Sequence, residues 1–385
     1  MKKTMLLCDF AKRCNSCQLN NLSYEEQLLF KEKKCKTNLR SICKVSPIIS
    51  MEKPFSYRNK AQVCVKVEKD KSYSYGMYKS TTKSITKIDC CRLHTEKANK
   101  IIAKVVKLLK SFKVIPYDFH TKKGYLKSIM VREGFKSGEI MLIFSGKTDT
   151  FPAKSTFTSA LQKNCPEITT AVVTQNDIQD KINVGKTVQV LFGKGYIEDT
   201  LLEKRFIISP ESFYQINPTQ TEKLYKTAID FADIEEGKVV LDAYCGIGTI
   251  GIIASEKAKT VYAVEKNEKA IENAEQNAKL NGIENIEFFC DDAKNFAKKI
   301  IDENIKIDTV FIDPPRSGCS KEFLSTLCEI NAEKIVYVSC NVETQARDLR
   351  YLIKAGYKAE KCTPVDMFPH TNHVETIVLM TKKNS

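Results

Sequence analysis

The chain has 385 residues, with 61 Lys+Arg against 47 Asp+Glu and 15 cysteines. That length implies two or three domains. No run of about 20 apolar residues exists, so a membrane-spanning helix is not expected, and the brief apolar run after Lys2 and Lys3 gives no expectation of a secretory signal. An odd number of cysteines without such a signal points to metal binding or catalysis in a cytoplasmic protein rather than to a disulfide scaffold.

Charge is unevenly spread. Residues 1–200 hold 37 Lys+Arg against 18 Asp+Glu, and residues 201–385 hold 24 against 29. A basic first half is the electrostatic footprint of a polyanion, and nucleic acid is the expected partner.

The first motif is Cys8, Cys14 and Cys17. Three thiols so close can wrap one metal centre but need a fourth ligand, for which Cys90 and Cys91 are candidates. Zinc and an iron–sulfur cluster both fit the spacing. Residues 23–43 read as a helix, because Ser23 and Glu26 have capping-box form. Val63–Val67 alternates as a strand, and residues 72–78 read as its hairpin return. Tyr57, Arg58 and Lys60 mix an aromatic with two cations, a combination suited to bases and phosphates. Apolar residues at helical spacing (Ile101, Ile102, Val105, Val106, Leu109) predict a helix over 95–112. Residues 125–145 and 169–208 read as strands of a mixed sheet.

From about residue 210 strands alternate with helices, the pattern of a parallel doubly wound sheet. Val239–Leu241 is followed by Asp242-Ala-Tyr-Cys-Gly246-Ile-Gly248, and a second strand ends in Glu265. Glycines after a strand and an acid roughly 20 residues on fit a nucleoside with its ribose hydroxyls bound. The third glycine needed for a pyrophosphate is out of register, so S-adenosylmethionine suits the pattern better than a dinucleotide. A third strand ends in Asp291-Asp292, and Asp292 is a candidate to face the adenine. A fourth ends in Asp313-Pro-Pro-Arg316, where the prolines project Asp313 into the crevice. The run Ile335–Val338 ends in Ser339-Cys340-Asn341, and a thiol at that end of a strand is a nucleophile candidate. A closing strand follows His373-Val-Glu375.

These stretches together, with Ser212-Phe-Tyr-Gln215-Ile-Asn217-Pro and Tyr57-Arg-Asn-Lys-Ala-Gln62, resemble the bacterial RNA (uracil-5-)-methyltransferase family, in particular its iron–sulfur-containing 23S ribosomal RNA branch. The resemblance implies a C-terminal doubly wound Rossmann-like methyltransferase domain over 209–385. It implies a basic mixed-sheet RNA-binding domain over 51–208, preceded over 1–50 by a cysteine-cluster segment and helix. By the same resemblance Cys340 is the nucleophile and Glu375 the general base. Gln215, Tyr244, Glu265, Asp313 and Asp292 line the S-adenosylmethionine site. Cys8, Cys14 and Cys17 hold a [4Fe-4S] cluster, with Cys91 ahead of Cys90 as fourth ligand. The implied protein is a monomeric cytoplasmic enzyme that methylates carbon 5 of a uridine in 23S ribosomal RNA. A transfer-RNA enzyme and a non-enzymatic iron–sulfur RNA-binding protein are the alternatives.

Overall fold

The computed structural model describes residues 8–14, 16–178, 182 and 184–383. The apolar run read at the N-terminus, residues 1–7, lies outside them.

The basic half builds a seven-stranded sheet. Its strands are β1 (Lys60–Val67), β2 (Tyr73–Lys79), β3 (Ser84–Lys87), β4 (Leu126–Glu133), β5 (Ile140–Gly146), β6 (Thr170–Gln175) and β7 (Lys186–Phe192), in the spatial order β3-β2-β1-β4-β5-β6-β7. The sheet is mixed as expected: β5 and β6 run parallel and the other neighbours antiparallel. The helices Glu96–Ser111 and Lys154–Asn164 cover one face. The first buries Ala98, Ile101, Ile102, Val105, Val106 and Leu109, the stripe its 3.6-residue spacing predicts. Truncating Leu109 to alanine there costs about 2–5 kcal/mol. The other face meets the rest of the protein, so β4 and β5 are buried along their whole length. Met130, Met141, Ile143 and Val172 pack with Ile197 and Phe206 of the hairpin β8 (Ile197–Leu201) and β9 (Lys204–Ile208), and with Leu224 of the helix Pro218–Ala232.

The acidic half forms a second sheet from β10 (Val239–Asp242), β11 (Thr260–Glu265), β12 (Ile286–Cys290), β13 (Thr309–Ile312), β14 (Lys334–Ser339), β15 (Tyr357–Val365) and β16 (Glu375–Lys382). Its order is β12-β11-β10-β13-β14-β16-β15. The first five strands are parallel, with helices between them. The order reverses between β10 and β13, which opens a crevice at their carboxyl ends. The closing strand does not sit at an edge. It inserts antiparallel between β14 and β15.

The N-terminal helix Tyr24–Leu39 carries the capping box its sequence announces: Glu26 N–H donates to Ser23 Oγ at 3.2 Å, and Ser23 N–H donates to Glu26 Oε2 at 2.7 Å. It packs against the helix Val342–Lys354 of the second sheet. Val45 and Ile49 then bridge to Cys362 and Val365 on β15. Among the described residues no helix is long and apolar enough to cross a membrane.

Candidate active site

A cavity of about 740 Å³ opens at the carboxyl ends of the parallel strands. All seven residues singled out for catalysis or cofactor binding line it: Gln215, Tyr244, Glu265, Asp292, Asp313, Cys340 and Glu375. Tyr244, Asp292, Asp313 and Cys340 come just after strands, Glu265 ends β11, Glu375 opens β16, and Gln215 lies before the helix Pro218–Ala232, so most sit at strand ends where side chains can reach a ligand. Gly248, at φ +83°, starts the helix Thr249–Ala254 in the left-handed region, and a Cβ there would meet Ala274, Ile252 and Phe288 at 3.2 Å. Asp242 is buried beneath this turn and accepts a hydrogen bond from Gly251 N–H at 2.8 Å. Its other oxygen has no partner among the described residues. Burial pushes the Asp242 carboxyl up to about 7. Burial, followed by the Asp242 charge, does the same to Asp313. Asp292 has a second task, since it caps the helix Ala293–Asp302 by accepting from Lys294 N–H at 3.0 Å. Glu265 ends β11 and accepts from Asn267 N–H at 3.0 Å.

One end of the cavity lies where β14 meets β16. Ser339 pairs with Thr376 in that antiparallel ladder, so Cys340 and Glu375 stand one step beyond, opposite each other. Thr376 Oγ1 donates to Gln345 Oε1 at 2.8 Å, and Gln345 Nε2 donates to the Tyr337 carbonyl at 3.0 Å, which ties the two strand ends together. Burial pushes the Cys340 thiol up to about 11, with the Glu375 and Asp313 charges adding to it and Arg316 opposing. Glu375 is 3% exposed. Burial and then Asp313 hold it well above the usual carboxylate range, again against Arg316. Arg316 therefore stabilises the anionic form of both groups. Its guanidinium lies 2.6 Å from His373 Nδ1, and its carbonyl accepts from Asn341 Nδ2 at 3.1 Å.

A second cavity, of about 290 Å³, is walled by Cys8, Cys14, Cys17, Cys90 and Cys91 together with Arg58, Lys60, His94 and His370. Burial, then the Cys91, Cys14 and Cys8 sulfurs, pushes the Cys17 thiol up to about 12. Those four cysteines thus sense one another, whereas Cys90 is exposed. Among the described residues no three His, Cys, Asp or Glu side chains converge tightly enough to hold a single metal ion. Cys8, Cys14, Cys17 and Cys91 around this space would offer soft thiolate donors of the kind an iron–sulfur cluster uses. Arg58 Nε is buried there with no hydrogen-bond partner among the described residues, an arrangement that favours an anionic occupant.

This cavity also corrects one reading of the sequence. Tyr57 is not a platform for a base: it is 1% exposed, and its hydroxyl donates to the Pro369 carbonyl at 3.1 Å. Arg58 and Lys60 face the cysteines.

A family model described as tRNA (Uracil-5-)-methyltransferase matches residues 23–383. The chain belongs to this family. It is 41% identical over 378 residues to an uncharacterized RNA methyltransferase of Clostridium tetani, covering 97% of this chain and 82% of that one. It is 40% identical over 380 residues to another from Caldanaerobacter subterraneus, covering 98% and 84%. Among solved structures it resembles the Pyrococcus abyssi tRNA (uracil-54, C5)-methyltransferase in complex with S-adenosyl-L-homocysteine. That match has a TM-score of 0.79 and 28% identity, and covers 95% of this chain and 85% of that one.

As a member of the RNA uracil-5-methyltransferase family, the chain uses S-adenosylmethionine. The large cavity suits that molecule, offering half-buried Tyr244 beside carboxylates at three strand ends. Two of its side chains received no role from the sequence. Arg316 served only as the residue following two prolines. Phe213, 72% exposed at the cavity wall, lay inside a quoted motif. An exposed phenylalanine becomes notable only once its burial is known, because apolar residues are normally covered.

Proposed function

We propose that this methyltransferase acts on carbon 5 of a specific uridine in 23S ribosomal RNA through a covalent bond between Cys340 Sγ and carbon 6. The observation that carries the reading is that Cys340 and Glu375, the residues next to the Ser339–Thr376 pair, line one end of the cofactor cavity together, close enough for the Glu375 charge to act on the Cys340 thiol. Carbon 5 of uracil is a weak nucleophile. Addition of the Cys340 thiolate to carbon 6 moves an electron pair toward carbon 5 and oxygen 4. The thiol proton leaves to solvent, a loss that Arg316 favours. Carbon 5 captures the electrophilic methyl of S-adenosylmethionine, whose sulfur–methyl bond breaks to leave S-adenosylhomocysteine. Glu375 then takes the carbon-5 proton, the ring double bond re-forms, and the sulfur–carbon bond breaks to return the thiolate. Glu375 must itself be ionised at that moment, and Arg316 is the charge beside it that helps.

A stacked base cannot present carbon 6 to Sγ, so the target uridine lies in a loop or is flipped out, at a cost of a few kcal/mol. Phe213 offers an exposed ring at the cavity wall for a displaced or neighbouring base. The basic sheet domain over 51–208 supplies phosphate contacts, so affinity falls with added salt. Cys8, Cys14, Cys17 and Cys91 hold a [4Fe-4S] cluster. Methyl transfer moves no net electrons, so a cluster here is structural. The resemblance of this cysteine set to the iron–sulfur ribosomal branch supports ribosomal RNA as the substrate. Likeness to the Pyrococcus abyssi enzyme supports a second reading, a uridine in transfer RNA.

Mass mapping of methyluridines in ribosomal and transfer RNA from cells lacking the protein tests the proposal. Loss of one or two methyluridines from 23S RNA is expected. Loss from transfer RNA alone would establish the second reading. Anaerobically purified protein should carry about four irons per chain, and Cys17→Ser should lose them.

A further inference from the structure

The two cavities lie on either side of one stretch of chain. His370 walls the cysteine cavity, while Phe368, His373 and Glu375 line the catalytic one. Residues 366–374 form neither helix nor strand, so no ladder holds them. Their polar groups are held instead by side chains: Asn217 and Gln220, at the start of the helix Pro218–Ala232, donate to the Met367 and Asp366 carbonyls at 2.9 and 3.1 Å, and the N-terminal segment and residues beside the cysteines hold the rest. Lys31 pairs with Asp366 and donates to the Phe368 carbonyl at 2.9 Å. Tyr24 donates to Asp366 at 2.8 Å. Leu19 N–H, two residues after Cys17, donates to the His370 carbonyl at 3.0 Å.

His370 makes a dense set of these contacts. Its N–H donates to Gln27 Oε1 at 2.9 Å. Its ring accepts at Nδ1 from Gln27 Nε2 at 3.2 Å and donates from Nε2 to the Pro54 carbonyl at 2.8 Å, which fixes one neutral tautomer. The ring stacks on Phe55 with centroids 4.4 Å apart. On Phe55 also rests the guanidinium of Arg92, the residue after Cys91, at 4.2 Å. His370 has φ +70°, a left-handed conformation that a side-chain-bearing residue holds only when its surroundings enforce it. Five residues later comes Glu375, the first residue of β16. The ladder fixes β16 from Glu375 onward, but the approach to Glu375 is set by this stretch.

We propose that His370 is a positioning residue: it fastens the approach to Glu375 to the wall of the cysteine cavity, so that the carboxylate meets the carbon-5 proton of the covalent adduct. The inference rests on the covalent reading above. It also gives the cysteine cavity a task in turnover although it does not touch the reacting atoms.

The test uses the full chain, S-adenosylmethionine and the RNA it methylates. His370→Ala should lower kcat by about tenfold or more while KM for RNA stays within about twofold. A protein–RNA adduct that survives denaturation should build up, because methylation precedes the slowed proton removal. Phe55→Leu, which removes the stack but no hydrogen bond, should do the same to a smaller degree. Rates are scaled to S-adenosylmethionine-binding sites, so a poorly folding variant is still informative. Unchanged kcat per binding site, or a lower kcat without adduct, would overturn the inference. Absence of any adduct with Glu375→Gln would instead overturn the covalent reading beneath it.

Discussion

Cys340 and Glu375 come from strands β14 and β16, which run in opposite directions, and face each other one register beyond the Ser339–Thr376 pair. Glu375 is also paired on its other side with Val365 of β15. Backbone pairing thus holds Glu375 at the start of β16, and Cys340 follows the last paired residue of β14. Cys340→Ala should abolish methylation and adduct alike, while calorimetry shows S-adenosylmethionine binding retained. Glu375→Gln should transfer the methyl once and stay bound to RNA, visible as a retarded band on a denaturing gel.

Rate should climb with pH. Glu375 is held well above the ordinary carboxylate range and Cys340 is raised to about 11. Both must be ionised to work, so each gains active form as pH rises. Single-turnover methylation should accelerate steadily between about pH 7 and 9. A rate that falls over that interval would contradict these two assignments.

Asp313 should trade stability for function. Its carboxyl sits at about 7 in the folded chain against 3.8 as a reference. The folded state therefore binds more protons than the unfolded one across that window. Stability is lost as pH rises through it. Asp313→Asn removes this penalty, so at about pH 8 its Tm should match or exceed that of the unaltered chain. Methylation should fall at least tenfold if the carboxylate contacts cofactor or base. A Tm well below the parent would show that Asp313 is structural.

Lys31 and Asp366 are both fully buried. Lys31→Met leaves the Asp366 charge uncompensated and should destabilise the protein by about 3–5 kcal/mol in urea unfolding. Adding Asp366→Asn, which keeps an acceptor for Tyr24, should recover most of that loss.

Part of the candidate site was legible in the sequence because Tyr244, Asp313 and Cys340 each follow an apolar strand, and Gly246 and Pro314 mark the chain's departure from two of those strands. Long-range docking left no such mark. The buried face of the helix Tyr24–Leu39 is Gln27, Lys31, Cys35 and Leu39; half of it is polar, so periodicity hides its contact with a helix some 300 residues later. β15 went unread because Lys358, Glu360 and Lys361 alternate with its buried residues and Pro364 falls within it. Proline is tolerated there because this is an edge strand. Tyr57 looked like a recognition residue because its partner, Pro369, lies 312 positions away.

The slot filled by β16 also bears on biosynthesis. The strand is the last of its sheet to leave the ribosome, and it lies between two strands made before it. Until it arrives, β14 and β15 present raw edges to a gap, a state open to sticky mispairing and proteolysis. A nascent polypeptide halted before Glu375 would lack the strand that closes its sheet, so an incomplete product would carry an exposed handle for degradation.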